Sequence, residues 1–230
     1  MLTPTELTAL STYGQDETKN YEIGLKSVLF GGRANVNLTL FYIDWTGTQV
    51  SAEPLPGVNV VVNASGADSI GIEFDAIAQV TDKLQIGGTF GYASAEISSE
   101  TASAAGIIPE GAVLPQAPEF SGSIFAEYVH PVSENIEARF RIDGRYTDDR
   151  VNRVDVVGLP GTPLDSYSTV NALVGLEADD WSLNVYANNL TNELAELDGV
   201  LFDDGTVGNI VAGYVRNRPR TIGIQVKKRF

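Results

Sequence analysis

The chain has 230 residues, carries a net charge of −15, contains no cysteine and has one histidine, His130. These counts exclude disulfides, thiolate metal sites and histidine-rich metal centres. The acidic charge argues against nucleic acid as a partner, because phosphate binding requires a basic field. No apolar run approaches the roughly 20 residues of a transmembrane helix. The N-terminal stretch lacks the basic and apolar regions of a signal peptide, so this feature alone predicts a cytoplasmic protein.

Apolar and polar residues alternate along nine segments of about ten residues, a length that crosses a bilayer as a tilted strand. In the segment IEARFRIDGRY, Ile136, Phe140 and Ile142 face one way, whereas Arg139 and Arg141 face the other. In chain order the segments cover residues 19–30, 33–42, 70–80, 84–92, 120–128, 136–146, 170–178, 181–187 and 220–230. This period of two predicts an all-β fold.

The connections between these segments alternate in length. Short ones cover 31–32, 81–83, 130–135 and 179–180, and long, loop-like ones cover 51–69, 97–118, 149–166 and 191–212. Short turns at one end and long loops at the other are typical of outer-membrane barrels. We therefore predict an antiparallel transmembrane β-barrel whose polar face lines a watery lumen. A half-buried sheet of a soluble β-sandwich also alternates and stays open as an alternative.

Aromatic residues lie near the ends of the predicted strands, where the two surfaces of a bilayer favour amphipathic rings. These residues are Tyr21, Tyr42, Phe120, Tyr128, Tyr146, Trp181, Tyr214 and Phe230. With periplasmic short turns, residues 1–18 form an extracellular loop and residues 19–230 supply nine strands. The C-terminus is then expected in the periplasm.

Several segments resemble the C-terminal part of TonB-dependent outer-membrane receptors. They are NYEIGLKSVLFGGRANVNLTLFYIDWTGTQV, LPQAPEFSGSIFAEY, WSLNVYANNLTNE and the closing RNRPRTIGIQVKKRF. The resemblance implies a barrel of about 22 strands, of which residues 1–230 are a partial barrel holding the last nine. It also implies a plug domain and a TonB-contacting motif, both expected to be absent from this chain.

The resemblance further implies an outer-membrane receptor for TonB-dependent uptake of a bulky nutrient. An iron–siderophore complex is the leading expectation, with carbohydrates or cobalamin as other cargoes. Two other functions stay open here: a small outer-membrane barrel with a structural or adhesive role, and a soluble β-sandwich binding module. We expect no enzyme, no cofactor and no metal site, because the sequence has no nucleophile elbow and its loop acids lack calcium-loop spacing.

Five arginines follow the predicted polar face toward the outer mouth: Arg139, Arg141, Arg145, Arg150 and Arg153. Guanidinium groups suit the carboxylate and catecholate oxygens of an anionic ligand such as a ferric chelate. For Arg139 and Arg141 we favour pairing with Glu137, Asp143 and acids of the neighbouring strands inside a wet barrel wall. For Arg145, Arg150 and Arg153, nearer the mouth, we predict ligand binding, and pairing with acids is the alternative.

The closing segment RTIGIQVKKRF has apolar residues at alternate positions and ends on an aromatic residue. In the family that it resembles, this pattern is the signal read by the barrel-assembly machinery. The pattern falls here on Ile222, Ile224, Val226 and Phe230. Lys228 departs from it, since an apolar residue is usual there, and its side chain is expected to snorkel toward the periplasmic head groups.

Three arginines precede the closing segment's apolar positions and share their parity: Arg216, Arg218 and Arg220. We predict that they lie at the outer rim of the barrel and meet lipopolysaccharide phosphates. The alternative is a solvated strand extension above the membrane, interrupted by Pro219.

Overall fold

The computed structural model describes residues 12–55, 58–203 and 210–229. Within them the chain forms seventeen strands and one 3₁₀ turn, Phe30–Gly32. In chain order the strands are β1 (Glu17–Leu29), β2 (Ala34–Thr46), β3 (Gln49–Leu55), β4 (Val58–Asn63), β5 (Gly66–Gln79), β6 (Leu84–Ile97), β7 (Thr101–Ser103), β8 (Gly106–Ile108), β9 (Phe120–Ser133), β10 (Ile136–Thr147), β11 (Arg150–Val151), β12 (Pro163–Leu164), β13 (Tyr167–Ala178), β14 (Trp181–Asn188), β15 (Glu196–Asp203), β16 (Ile210–Arg216) and β17 (Thr221–Lys228). No helix among the described residues is long and apolar enough to cross a membrane.

Nine of these strands form one continuous sheet in the order β1-β2-β5-β6-β9-β10-β13-β14-β17. Neighbouring strands are antiparallel; on β10, for example, Phe140 lies opposite Tyr128 of β9 and Val174 of β13. The order of strands in the sheet follows the order along the chain, so each connection joins adjacent strands. The predicted all-β fold with nine antiparallel strands is confirmed.

The two faces of this sheet have opposite chemistry. On one face apolar side chains stand open, including Ile23, Ile124 and Ile224, which are 72%, 69% and 70% exposed. A soluble monomer rarely leaves so broad an apolar surface in water. The other face carries amides, hydroxyls and charges, as where Asn37 Nδ2 donates to Asp75 Oδ2 at 2.9 Å. The first face therefore suits lipid and the second suits a hydrated lumen.

Aromatic rings border the apolar face at both ends. Toward the loop end, the ring centroid of Phe120 lies 4.8 Å from that of Phe90 and 5.6 Å from that of Tyr146. Toward the turn end, the rings of Tyr128 and Phe140 lie 6.4 Å apart. The stretch of β9 from Phe120 to Tyr128 is about 27 Å long, or about 20 Å along the membrane normal at a tilt of about 40°. This height is close to that of the apolar band of an outer-membrane barrel.

The connections are short at one end of the sheet and long at the other, as predicted. The short end holds the 3₁₀ turn and the connections 80–83, 134–135 and 179–180. The long connections, here named outer loops 1 to 4, cover 47–65, 98–119, 148–166 and 189–220. Each outer loop contains its own two-stranded sheet: β3–β4, β7–β8, β11–β12 and β15–β16.

Most strands of the sheet run beyond their predicted bounds, as β2 does to Thr46 and β6 to Ile97, and two boundaries have a local explanation. β5 begins at Gly66, although residues 66–69 have loop-like composition, and a Cβ at Gly66 would come within 2.8 Å of Trp45 O. A larger residue at position 66 would crowd this carbonyl oxygen, and glycine allows the strand to begin there. At the other end, β17 begins at Thr221, whereas Arg216 belongs to β16. The arginines before Thr221 thus do not continue the closing strand, and Pro219 lacks the N–H that a strand ladder requires.

Candidate functional site

Outer loops 1, 2 and 3 share a small hydrophobic core. Its fully buried members include Ile97, Ile108 and Val154, and smaller side chains such as Ala52 and Ala67 fill the space between them. Ala67 and Ile97 lie opposite each other on β5 and β6 and face the same side as the lumen residues. The core therefore attaches the loop layer to the lumen side of the wall.

Arg153 of outer loop 3 forms an ion pair with Glu53 of outer loop 1. Only 6% of the Arg153 side chain and 3% of the Glu53 side chain are exposed. Beside them, the Val154 N–H donates to Ser51 O at 3.1 Å, and the Val157 N–H donates to Ile107 O of outer loop 2 at 2.8 Å. Because a buried charge is costly unless it is paired, the ion pair fixes outer loop 3 against outer loop 1.

Arg150 connects outer loop 3 to outer loops 2 and 4. Its Nε donates to Gln116 Oε1 at 2.9 Å, and its Nη2 donates to Glu196 O at 3.0 Å. The guanidinium carbon lies 5.5 Å from the ring centroid of Tyr167. Its Nη1 is buried and has no hydrogen-bond partner among the described residues. Arg150 and Arg153 thus lie inside the loop layer, and their guanidinium groups contact protein groups.

Asn152 adds a second link between outer loops 3 and 4. Its Nδ2 donates to Gly199 O, and its Oδ1 accepts a hydrogen bond from the Thr162 N–H at 2.8 Å. Outer loop 3 therefore contacts each of the other three loops. The four loops form one packed layer with outer loop 3 at its centre.

Below the loop layer, charged side chains on the lumen face of β9, β10 and β13 form a ladder of ion pairs. Arg139 contacts Glu127 at 3.3 Å and Glu177 at 3.2 Å. Arg141 contacts the second oxygen of Glu127 at 3.4 Å and lies 4.4 Å above the ring of Phe125. The favoured interpretation of Arg139 and Arg141 as paired wall residues agrees with these contacts, which are made to the expected acids of the neighbouring strands rather than to Glu137.

Arg145 stands at the top of this ladder and differs from the arginines below it. Its register partners are Ser123 on β9 and Thr169 on β13. In the described part of the chain its side chain has no ion pair and no hydrogen bond. The side chain borders a cavity of about 280 Å³ on the lumen face, which is also lined by Asp143 and Asn171. An exposed, unpaired guanidinium thus lies directly below the loop layer.

The arrangement of a lipid-suited wall, a polar lumen and one layer of outer loops matches a known family. Residues 10–190 match the family model described as TonB dependent receptor-like, beta-barrel. This chain belongs to the TonB-dependent receptor family. TonB-dependent receptor barrels are outer-membrane proteins, and the family comprises receptors and transporters rather than enzymes.

Individual receptors are similar to this chain over most of its length. The metal-pseudopaline receptor CntO of Pseudomonas aeruginosa is 26% identical over 186 residues, which are 77% of this chain and 24% of that protein. The ferric yersiniabactin uptake receptor FyuA of Yersinia pestis superposes with a TM-score of 0.74 at 18% identity, covering 94% of this chain and 30% of that one. The ferric-catecholate import receptor Fiu of E. coli K12 superposes with a TM-score of 0.68 at 17% identity, covering 95% of this chain and 28% of that one. The copper transporter OprC superposes with a TM-score of 0.67 at 16% identity, covering 93% of this chain and 31% of that one.

These matches show a shared fold. At such identities the solved structures establish the barrel architecture alone. The chain spans about a quarter of the curated relatives that it matches and under a third of the solved chains. Its nine strands therefore correspond to one part of a receptor barrel.

In the receptor barrel, Asn189 is the first residue of outer loop 4 and links the two ends of that loop. This residue has φ +51°, a conformation that asparagine tolerates better than most residues. Its Nδ2 donates to Glu193 O at 2.8 Å and to Arg218 O at 2.9 Å, and its own N–H donates to Asn171 Oδ1 at 2.9 Å. The Glu193 N–H returns a bond to Asn189 Oδ1 at 2.8 Å. The ends of outer loop 4 are thereby tied to each other and to the lumen wall.

The three arginines predicted at the rim of the receptor occupy different settings. Arg216 contacts Glu196 Oε1 at 3.3 Å within the β15–β16 hairpin. Arg220 donates from Nη1 to Leu190 O at 3.3 Å, and its N–H donates to Asn192 Oδ1 at 2.9 Å. Arg218 is exposed, and its backbone oxygen accepts the bond from Asn189. All three lie in outer loop 4.

On β17, Ile222, Ile224 and Val226 face lipid, with exposures of 68%, 70% and 70%. Phe230 lies outside the described residues. Lys228 lies on the same face as Ile222, Ile224 and Val226, and it forms an ion pair with Asp180 of the neighbouring short turn. Its hydrogen bond to that carboxylate lowers the pKa of Asp180. The lysine that departs from the family pattern therefore has a local partner at the turn end of the wall.

Three residues that organise the loop layer carry no clear signal in the sequence: Glu53, Gln116 and Asn189. Glu53 lies in a proline-containing stretch that resembles any loop, whereas Gln116 falls inside the LPQAPEFSGSIFAEY stretch, which carries the family resemblance but does not reveal the contacts of this residue. Asn189 falls inside the WSLNVYANNLTNE stretch that carries the family resemblance, so the motif marks it but does not reveal its contacts.

Proposed function

We propose that this chain forms the last nine strands and four outer loops of a receptor that imports a chelated metal across the outer membrane, with an iron–siderophore complex as its cargo. The observation that carries the proposal is the packed loop layer above a polar lumen with an unpaired guanidinium at its top. Similar proteins support the choice of cargo, since CntO is named for metal-pseudopaline, FyuA for ferric yersiniabactin and Fiu for ferric catecholates. Each of these cargoes holds a metal inside an organic ligand.

Energy for uptake comes, in this proposal, from TonB acting through a part of the protein beyond this chain. The wall described here supplies the lumen and the outer loops. A plug in the remaining part of the receptor would close the lumen and contact TonB.

We place the outer loops outside the cell and the short turns in the periplasm, with the C-terminus on the periplasmic side. Support comes from β17, which runs from outer loop 4 at Thr221 down to the end that carries the short turns. Ile222, Ile224, Val226 and Phe230 then form the signal for the barrel-assembly machinery. The three apolar positions among the described residues all lie on the lipid face.

Arg145 is the residue that we propose to meet the cargo first within the lumen. Arg150 and Arg153 contribute to ligand binding by holding the loops in place, because their guanidinium groups are buried among protein atoms. For Arg216, Arg218 and Arg220 we propose contact with lipopolysaccharide phosphates. Arg218 is the strongest candidate of the three, since the side chains of Arg216 and Arg220 already form an ion pair and a hydrogen bond within outer loop 4.

Uptake of radioactive iron tests the proposal directly. The full-length receptor is expressed in cells that lack their own ferric-chelate receptors, with and without TonB, and is offered a ferric catecholate and ferric citrate. We expect accumulation of at least one chelate that depends on both the receptor and TonB. Equal accumulation without TonB, or none of either chelate by cells with a properly assembled receptor, would contradict the proposal.

A further inference from the structure

Four pairs of neighbouring strands in the wall are joined by short turns, and four are joined by outer loops. A short turn fixes the register of its two strands, whereas a long loop leaves the register open. The alternation of apolar and polar residues does not fix it either, because a slip by two residues returns every side chain to its own face. The pairs joined by outer loops are β2–β5, β6–β9, β10–β13 and β14–β17. Another contact must therefore select their register.

Three of these four strand pairs carry an aromatic ring that lies over a glycine of the opposite strand, on the lumen face. The residues that face each other are Phe41 and Gly71 on β2–β5, Phe125 and Gly87 on β6–β9, and Tyr186 and Gly223 on β14–β17. A Cβ at any of these glycines would come closer than 3.0 Å to atoms of the ring. We call these contacts ring–glycine joints, since each ring occupies the space that a larger residue would fill.

The ring–glycine joints occur only on strand pairs that are joined by outer loops, within the described part of the chain. On β9–β10, which a short turn joins, Gly122 faces Tyr146, but the nearest atom to its added Cβ would be Thr89 O at 3.0 Å. The fourth outer-loop pair, β10–β13, has a polar contact instead, since Asn171 Nδ2 donates to Asp143 Oδ2 directly opposite at 2.8 Å. The joints thus accompany three of the four long connections.

The joint on β6–β9 shows why a ring over a glycine discriminates between registers. Arg141 of β10 packs on the Phe125 ring, with its guanidinium carbon 4.4 Å from the ring centroid. On the same face of β6, the residues two positions before and after Gly87 are Gln85 and Thr89. A slip by two residues would place one of these side chains under the ring, where the absence of a Cβ now leaves room. The native register is therefore the one that the ring fits.

Register sets the level of the outer loops, because each loop continues the strands that carry it. A slip by two residues moves one strand about 7 Å along its neighbour. Such a shift would break contacts in the loop layer, such as the hydrogen bond of 2.9 Å between Arg150 of outer loop 3 and Gln116 of outer loop 2. We infer that Phe41, Phe125 and Tyr186 are positioning residues that select the register of strand pairs joined by outer loops and so bring the loops to one level. This role of the wall does not depend on the cargo.

Disulfide trapping during refolding of the full-length receptor tests the joint on β6–β9. Thr89→Cys with Ser123→Cys reports the native register, because these two residues face each other. Thr89→Cys with Ser121→Cys reports a slip by two residues, since in the native register this pair is diagonal and too far apart for a disulfide. The receptor is refolded from urea into detergent micelles and oxidised at set times. Both disulfides are quantified in all chains, folded or not, so that a variant that folds poorly still gives a ratio.

Three variants separate the ring–glycine joint from a general loss of apolar contact. Phe125→Leu stays apolar but removes the ring, and it should raise the ratio of slipped to native disulfide about two- to fivefold, as expected for a lost aromatic cross-strand pair. Phe125→Tyr keeps the ring and should leave the ratio at the wild-type value. Phe90→Leu is the matched control and should also leave it unchanged, because Phe90 faces Gly122 on the same strand pair but approaches it only with its Cα, at 3.9 Å. An unchanged ratio in Phe125→Leu, or an equal rise in Phe90→Leu, would overturn the inference.

Discussion

Replacing Arg153 with methionine leaves the Glu53 carboxylate buried without its cation. The two side chains are 6% and 3% exposed, so solvent screens the pair little. Removing one partner of a buried ion pair costs about 3–5 kcal/mol. That cost falls on the loop layer, because the pair joins outer loops 3 and 1. Since about 1.4 kcal/mol is a factor of ten, the opened population of the layer should rise more than about a hundredfold.

Hydrogen exchange of the full-length receptor measures this opening at named amides. The reporters are the Val154 N–H, which donates to Ser51 O, and the Val157 N–H, which donates to Ile107 O. Amides at the turn end of β2 and β5 serve as an internal reference, because they lie away from the loop layer. The two reporters should lose protection together while the wall amides keep theirs.

Two further variants identify the buried charge as the cause. The double substitution Glu53→Leu with Arg153→Met removes both charges and should restore protection to within about 1 kcal/mol of the wild type. Arg216→Met breaks a pair whose arginine is 50% exposed, and it should cost about 1 kcal/mol or less. Unchanged protection in Arg153→Met, or equal loss in the double variant, would refute the reasoning.

Three other outcomes follow from the wall and its closing strand. Asn189→Ala should lower the free energy of local opening of outer loop 4 by about 1–3 kcal/mol, because it leaves backbone groups of Glu193 and Arg218 unpaired. Hydrogen exchange of the Glu193 and Arg220 amides should become faster, and unchanged exchange would contradict this prediction. Gly87→Ala should lower the heat-modifiable folded fraction, because the added Cβ would lie 2.6 Å from the Phe125 ring, whereas Gly91→Ala, with 3.6 Å to its nearest neighbour, should assemble normally. Deleting Phe230 should reduce assembly of the full-length receptor in the outer membrane, and equal assembly would show that the terminal ring is incidental.

The sheet could be predicted from the sequence because the alternation of apolar and polar residues depends only on positions that are close together in the chain. Alternation along IEARFRIDGRY places Phe140 and Ile142 on one face whatever the rest of the chain does, and the register then brings them beside β9 and β13. The same reasoning finds Arg145 on the lumen face. It also favours pairing for Arg139 and Arg141, since acids of suitable parity lie on the flanking segments.

The loop layer could not be predicted in this way because its contacts join residues that are far apart in the chain. Glu53 and Arg153 are brought together by the packing of three loops around Ile97, Ile108 and Val154. Composition marks these stretches as loops and says nothing about which of them touch. For the same reason Arg150 looks like an open cation in the sequence, whereas in the structure loop backbone oxygens surround it.

The central claim is that this sheet separates lipid from a hydrated lumen, and spin labels along β10 test it most directly. The chain has no cysteine, so single cysteines at Phe140, Arg141, Ile142 and Asp143 can be labelled within it in the full-length receptor in a bilayer. Collision with oxygen, which dissolves in lipid, and with a water-soluble nickel chelate is then measured at each position. We predict high oxygen and low nickel accessibility for Phe140→Cys and Ile142→Cys, and the reverse for Arg141→Cys and Asp143→Cys. The same accessibility at all four positions, or high nickel accessibility at the apolar pair, would contradict the claim.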